Sequence, residues 1–270
     1  MREALPTLTR REDQWNPVAM WHLSAAIFFV LTVLCLFASA IDHRLIHGVS
    51  VWSKPFKFAL SLGVYFATFL WFARLLPDHH LGSRKHRRIG QSLVFVAIFE
   101  FLYIAAQASL GELSHFNKST AFHSTMYSLM GLGAIWLTVG LLWLSVLIGK
   151  TNDLAKPFVL AVVIGLVLSA CLGGGFGIYL GSQTSHWVDA IATDATDIWL
   201  FNWSTSGGDL RVAHFFGLHA MQVIPLCAMS LPTRLTPKAQ MTILIIVSGI
   251  YSAWSLFTFV QATQGLPFIA

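Results

Sequence analysis

Seven runs of apolar residues, at 18–41, 55–76, 89–110, 123–148, 155–180, 211–231 and 239–263, divide this chain. A run of about 20 apolar residues is long enough to cross the hydrocarbon core of a bilayer as a helix. In that solvent every backbone N–H and C=O must be bonded within the protein, which leaves helices or closed barrels as the spanning structures. Run length selects helices. The expected fold is all-α: a polytopic membrane helix bundle of seven transmembrane helices. Residues 1–17 form a segment ahead of the bundle. Residues 18–270 form the transmembrane domain, with one long loop at about 181–210.

Composition agrees with that reading. Only 11% of the residues are charged, against about 25% in an ordinary soluble domain. The first 17 residues mix basic and acidic side chains, and the run that follows is long enough to span, so no cleaved signal peptide is expected. The cysteines, Cys35, Cys171 and Cys227, all fall inside apolar runs. They are expected to pack as small buried groups rather than to form a disulfide framework.

The net charge of +5 does not imply a nucleic-acid partner, because the basic residues sit in short loops between apolar runs. Arg2, Arg10, Arg11, Arg74, Arg84, Lys85, Arg87, Arg88, Lys150, Lys156, Arg234 and Lys238 fall on one side; Arg44, Lys54, Lys57, Lys118 and Arg211 fall on the other. The positive-inside rule then places the N-terminus in the cytoplasm and the C-terminus outside. The lipid bilayer is the first partner. The oligomeric state is not legible in the sequence. The long outer loop holds aromatic residues at a spacing that suggests a short surface helix over 186–201.

The outer ends of the runs carry the polar groups. Gly207-Gly208-Asp209-Leu210-Arg211 leads into His214, His219 and Gln222 at the start of the sixth helix. Ionisable groups in a membrane segment are costly and generally mark a site. Ser206 or Asp209 is expected to cap that helix. His214 and His219 are five residues apart, roughly 140° around a helix, so any metal they bind needs partners from other helices. Glu100, Tyr103, Gln107 and Gly111 form one stripe on the third helix, leading outward to His115, Asn117 and His123. Lys54 and Lys57 open the second helix, with Pro55 suited to its first turn.

These residues divide by chemistry. Glu100, Gln107, Asp209 and Arg211 are the candidate catalytic groups. Lys54, Lys57, Asn117 and Trp203 are the candidate substrate-binding groups. His115, His123, His214 and His219 are the candidate metal ligands. A haem or a transition metal ion is the cofactor this set suggests, with Gly131, Gly133 and Gly217 giving room beside a ring and Lys57 or Arg211 meeting propionates.

The strings Ser114-His115-Phe116-Asn117, Lys54-Pro55-Phe56-Lys57-Phe58 and Gly207 to Gln222 resemble a family of uncharacterised bacterial multi-span membrane proteins over most of the spanning region. The resemblance implies a bacterial inner membrane and no particular reaction. The seven-helix layout is also similar to the adiponectin-receptor and ceramidase hydrolases. Those carry a zinc-binding His pair on the last helix. Residues 239–263 contain no His, which argues against membership.

Three functions are compatible with the sequence. The first is a metal- or haem-centred redox protein. The second is a membrane-embedded enzyme acting on a lipid, a quinone-like molecule or a small anion by acid–base or zinc chemistry. The third is a proton-coupled transporter, in which the Glu100–Gln107 stripe is a relay.

Overall fold

The computed structural model describes residues 17–76, 84–151, 155–194 and 200–269. Seven long apolar helices account for most of them. They are α1 (Pro17–Ile41), α2 (Ser53–Ala73), α3 (Arg84–Leu110), α4 (Ala121–Gly149), α5 (Lys156–Ser182), α6 (Leu210–Ser230) and α7 (Pro237–Thr263). This is the architecture expected from the apolar runs: an all-α integral membrane protein with lipid against its outer faces. The Arg2, Arg10 and Arg11 part of the charge argument lies outside the described residues, as do 77–83 and 195–199.

An aromatic block joins α1 to α2. Trp21 stacks on Phe66 at 5.9 Å between ring centroids, and Phe28 stacks on the same ring at 5.6 Å. Such pairs add about 0.5–1.5 kcal/mol each beyond simple burial. The block continues through Leu93 and Phe101 of α3, Leu141 and Leu144 of α4, and Leu166 of α5. The opposite faces of the helices carry exposed Leu, Ile, Val and Phe side chains, including Leu23, Val30 and Phe37 on α1. That pattern suits lipid on the outside and protein within.

Hydrogen bonds from side chains to neighbouring helices fix the arrangement. Tyr65 Oη donates to the Leu137 carbonyl at 2.7 Å, tying α2 to α4. Tyr251 Oη donates to the Phe216 carbonyl at 2.6 Å, tying α7 to α6. Gln222 Nε2 donates to Thr68 Oγ1 at 2.9 Å, tying α6 to α2.

Helix α5 is not regular. A π-helical turn, Ser169–Gly173, interrupts it. There Ser169 Oγ donates to the Leu218 carbonyl at 2.7 Å and accepts from the Met221 amide at 2.8 Å. The hydroxyl therefore serves the backbone of α6 just before Pro225, which lies inside that helix. Neighbouring Ser side chains make such helix breaks tolerable in a membrane. At the same crossing a Cβ on Gly217 would stand 2.6 Å from the Gly173 amide nitrogen. Gly133 lies against Glu100. These two glycines are thus filled by protein and do not leave room for a cofactor ring, contrary to the sequence expectation. Gly131 has open space around it.

The loops 42–52 and 111–120 and the described parts of the long loop, 183–194 and 200–209, meet at one end with the C-terminal segment. His47 and Gly48, at φ 51° and 83°, turn the hairpin of β1 (Leu45–Ile46) and β2 (Val49–Ser50). Positive φ at both central residues matches the twist that a two-residue hairpin needs. The His47 carbonyl accepts from the Asp194 amide at 2.8 Å and from Thr193 Oγ1 at 3.2 Å. The long loop starts with β3 (Trp187–Val188), which pairs with β4 (Gly208–Asp209). The described part of 186–201 is therefore strand and bend, not the surface helix expected from its aromatics. Strand pairing and the His47 carbonyl have taken the backbone donors that a helix would use. We call this end the capped end.

The crossing gives a direct test. Gly217→Ala should destabilise the detergent-solubilised protein by about 1–3 kcal/mol through overpacking. Gly175→Ala, where a Cβ meets nothing within 4 Å, should leave the thermal midpoint unchanged. Equal midpoints for the two variants would show that the crossing is not tight.

Candidate functional site

Arg211 organises the capped end. Asp209 precedes α6 in extended backbone, and its carboxylate accepts from the Arg211 amide at 3.0 Å, the expected cap. The same carboxylate accepts from Arg211 Nε at 2.9 Å and from Nη2 at 2.6 Å. Arg211 Nη2 also donates to Asp194 Oδ1 at 2.9 Å and to the Asn202 carbonyl. One guanidinium thus joins the start of α6 to two points on the long loop. Asp209 is fully buried, where a carboxylate persists only when paired and hydrogen-bonded. Its second oxygen accepts from the Ser204 amide at 3.0 Å.

Asp194 and His186 complete this group. Burial raises the Asp194 pKa, but the neighbouring His186 and the charge of Arg211 outweigh it and hold the carboxyl down at about 2. His186 Nε2 stands 3.6 Å from Asp194 Oδ1, within ion-pair range but too far for a hydrogen bond. Burial lowers the His186 pKa despite Asp194, so the imidazole is neutral. Neither residue has a site role in the sequence reading, because no helical or strand spacing links either one to Arg211.

The lysines of α2 face the same group rather than snorkelling away from it. Lys57 Nζ donates to the Phe201 carbonyl at 2.9 Å and to Asn202 Oδ1. Ser53 Oγ bonds the same Asn202 oxygen at 3.2 Å. Lys54 is different: its ammonium has no acceptor among the described residues and interacts through space with Arg211, Asp194 and Lys57. Its charge also reaches His115. Burial, reinforced by Lys54, pushes the His115 pKa well below the usual histidine range, so this imidazole is also neutral. The His115 ring lies 5.4 Å from Phe58 and 5.9 Å from Tyr127. Lys54, Lys57 and Arg211 against Asp194 and Asp209 leave one positive charge in excess.

The α3 stripe is continuous with this end. Gln107 Nε2 donates to Tyr103 Oη at 3.2 Å and to the Leu113 carbonyl at 3.3 Å, and stands 3.1 Å from His123 Nδ1. His123 Nε2 lies 3.4 Å from Glu112 Oε2 at the surface. Thr120 caps α4 by accepting from the His123 amide, which fixes His123 in the first turn. Deeper along the stripe, Glu100 is buried and its Oε1 has no partner among the described residues. A polar line therefore runs from exposed Glu112 through His123, Gln107 and Tyr103 toward a carboxyl inside the bundle.

The remaining candidates take quieter positions. Asn117 shapes its own loop, donating to the Leu113 carbonyl at 3.1 Å and accepting from Ser119 Oγ at 2.7 Å. Trp203 is buried in an aromatic cluster, stacked on Phe201 at 4.4 Å. His214 Nδ1 lies 2.8 Å from the Gly173 carbonyl, and the His219 ring lies 4.2 Å from that of Phe215. Among the described residues, no group of three or more His, Cys, Asp or Glu side chains is placed to hold a metal ion. Lys57 and Arg211, the expected propionate partners, are already bonded to protein groups.

Acid should open this end. The folded Asp194 pKa lies below the unfolded carboxyl value of about 3.9, so its contribution is present at neutral pH and is lost as pH falls from about 4 toward 2. His186 acts in the same direction at higher pH, since its lowered folded pKa favours the folded state fully only above about 6.5. Hydrogen exchange at the Asp194 amide reads the closure. Asp194→Asn should speed this exchange at neutral pH and reduce its acid dependence. Arg211→Gln removes the charge partner of buried Asp209 and half-buried Asp194 and should cost about 3–5 kcal/mol. An Arg211→Gln protein with wild-type protection would refute the clamp.

Comparison of the chain with protein-family models, with curated proteins and with solved structures found no match, so no family is assigned to it.

Proposed function

We propose that the protein binds a small anion, or the anionic head of a lipid or quinone-like molecule, at the capped end and performs acid–base chemistry on it. The observation that carries this reading is the Lys54 ammonium. It is half-buried, lacks a hydrogen-bond acceptor among the described residues, and is acted on by Arg211, Lys57 and the carboxylate of Asp194, with the neutral imidazole of His115 within reach of its charge. Lysine ammonium groups are strongly hydrated, so an anion that takes the place of water satisfies the group.

The roles follow from the contacts. Lys54, with Lys57 beside it, holds the negative group. Neutral His115, which feels the charge of Lys54, is the proton acceptor, since its lowered pKa leaves a ring nitrogen free at physiological pH. The Tyr103, Gln107 and His123 line moves protons between Glu112 and the interior, with Glu100 at its inner end. Asp209 and Arg211 act as the frame. Their hydrogen bonds to each other and to the loop leave them less suited to react with a substrate.

The test is what the purified protein retains. Wild-type protein extracted from membranes should carry an anionic small molecule or lipid detectable by native mass spectrometry. Lys54→Gln should lower its occupancy roughly tenfold, a typical effect of losing a charged hydrogen bond of about 1.5–3 kcal/mol. Equal occupancy in both proteins would sink the reading.

A haem- or metal-centred redox role is the second reading, and His214 favours it. The Gly173 carbonyl can only accept, so Nδ1 of His214 carries the proton and Nε2 keeps its lone pair. Ligating histidines are generally oriented by such a bond. His115, with Ser114 Oγ at 3.2 Å from its Nδ1, is the complementary candidate. His214 and His115 are the residues that would hold a haem, whereas a bare ion needs a larger donor group than the described residues offer. Bound iron would supply one-electron chemistry. Protein expressed with ample haem should then show a haem absorption band that His214→Ala abolishes. A wild-type protein with no such band and no bound metal by elemental analysis would remove this reading.

A further inference from the structure

The end of α3 remote from the cap carries a second basic group. Arg84, Arg87, Arg88 and Gln91 line a cavity of about 290 Å³. Their spacing, i, i+3, i+4 and i+7, places them on one helical face. None of the three guanidiniums has a hydrogen bond or ion pair among the described residues. All three are exposed, and with no counter-charge among the described residues they repel one another, a repulsion that an anion laid across them relieves. They also stand at the N-terminal end of α3, where the helix dipole favours negative charge.

The same face shows what kind of anion. Continuing at helical spacing from Arg84, Arg88 and Gln91, it carries Phe95, Ile98 and Leu102, which are 70%, 40% and 59% exposed. Cationic heads and an exposed apolar stripe lie on one line. Residues 92–110 are about 28 Å long at 1.5 Å per residue. That length fills a hydrocarbon core of about 30 Å and sets the arginines at headgroup depth. A free phosphate would use only the upper part of this surface. A phospholipid would use both.

We infer that this face of α3 is a binding site for an anionic phospholipid. Its phosphate lies on the forks of Arg84, Arg87 and Arg88, and one acyl chain runs along Phe95, Ile98 and Leu102. Guanidinium forks match phosphate oxygens in pairs. The site is separate from the capped end and does not depend on the function proposed there.

The experiment uses the full chain in phosphatidylcholine nanodiscs with a minor fraction of spin-labelled phosphatidylglycerol. The motionally restricted fraction of the label measures its preference for the protein. Removing all three charges by Arg84→Gln, Arg87→Gln and Arg88→Gln should reduce that preference by roughly fivefold per arginine. These side chains bond no described group, so the fold should persist, which the thermal midpoint checks. A control variant, Lys156→Gln, Arg234→Gln and Lys238→Gln, removes three charges from other loops on the same side of the sequence. It should leave the preference within about twofold, because charge beyond a Debye length is screened. Equal losses in the two variants would mean general surface attraction and overturn the site, as would no loss in either. Inorganic phosphate should fail to displace the label. Displacement of the label by inorganic phosphate would reassign the arginines to a free anion and overturn the lipid assignment.

Discussion

The pairing of Arg211 with Asp209 and Asp194 is the interaction on which the capped end depends. A charge at the margin of an apolar layer is stable only when paired and hydrogen-bonded. Here one guanidinium satisfies the helix-capping carboxylate, a second carboxylate from the long loop and a backbone carbonyl. Because those groups come from the helix start and from two separate points on the long loop, pairing and folding of the cap are one event. The Asp194 backbone extends the closure to the first hairpin through the His47 carbonyl. The placement of Lys57 by Asn202 follows from the same closure.

This arrangement separates structural charge from available charge. Arg211 and Lys57 hold the loop, whereas Lys54 interacts through space with Arg211, Asp194, Lys57 and His115 and has no hydrogen-bond acceptor among the described residues. The α3 stripe makes a similar distinction. Tyr103, Gln107 and His123 bond one another, while Glu100 Oε1 has no bond among the described residues. In each case the unpartnered group is set in place by bonded neighbours. That is how a binding or acid–base site is preorganised.

Local chemistry was legible in the sequence. The seven helices begin and end within five residues of the apolar runs, because run length and hydropathy are properties of the segment itself. The Asp209 cap and the Glu100, Tyr103 and Gln107 stripe were legible for the same reason: both follow from helical spacing. What could not be read was pairing at long range. Nothing local marks Asp194 as a partner of Arg211, His186 as a neighbour of Asp194, or Asn202 as the acceptor for Lys57. The aromatics of 186–201 suggested a helix because their spacing permits one, but pairing with Gly208–Asp209 imposed a strand. Gly133 and Gly217 suggested space, whereas a neighbouring helix fills it in both places. The π turn at Ser169 is likewise tied to a partner, the backbone of α6.

The central claim is that Lys54 faces a ligand rather than lipid or another protein group. The most direct measurement is an experimental density map of the full chain purified from its native membrane without added anions. Non-protein density of an anionic group is expected within about 3 Å of Lys54 Nζ, the distance of a charge-assisted hydrogen bond. A map in which Lys54 Nζ bonds a protein carboxylate or carbonyl, with no such density beside it, would contradict the account.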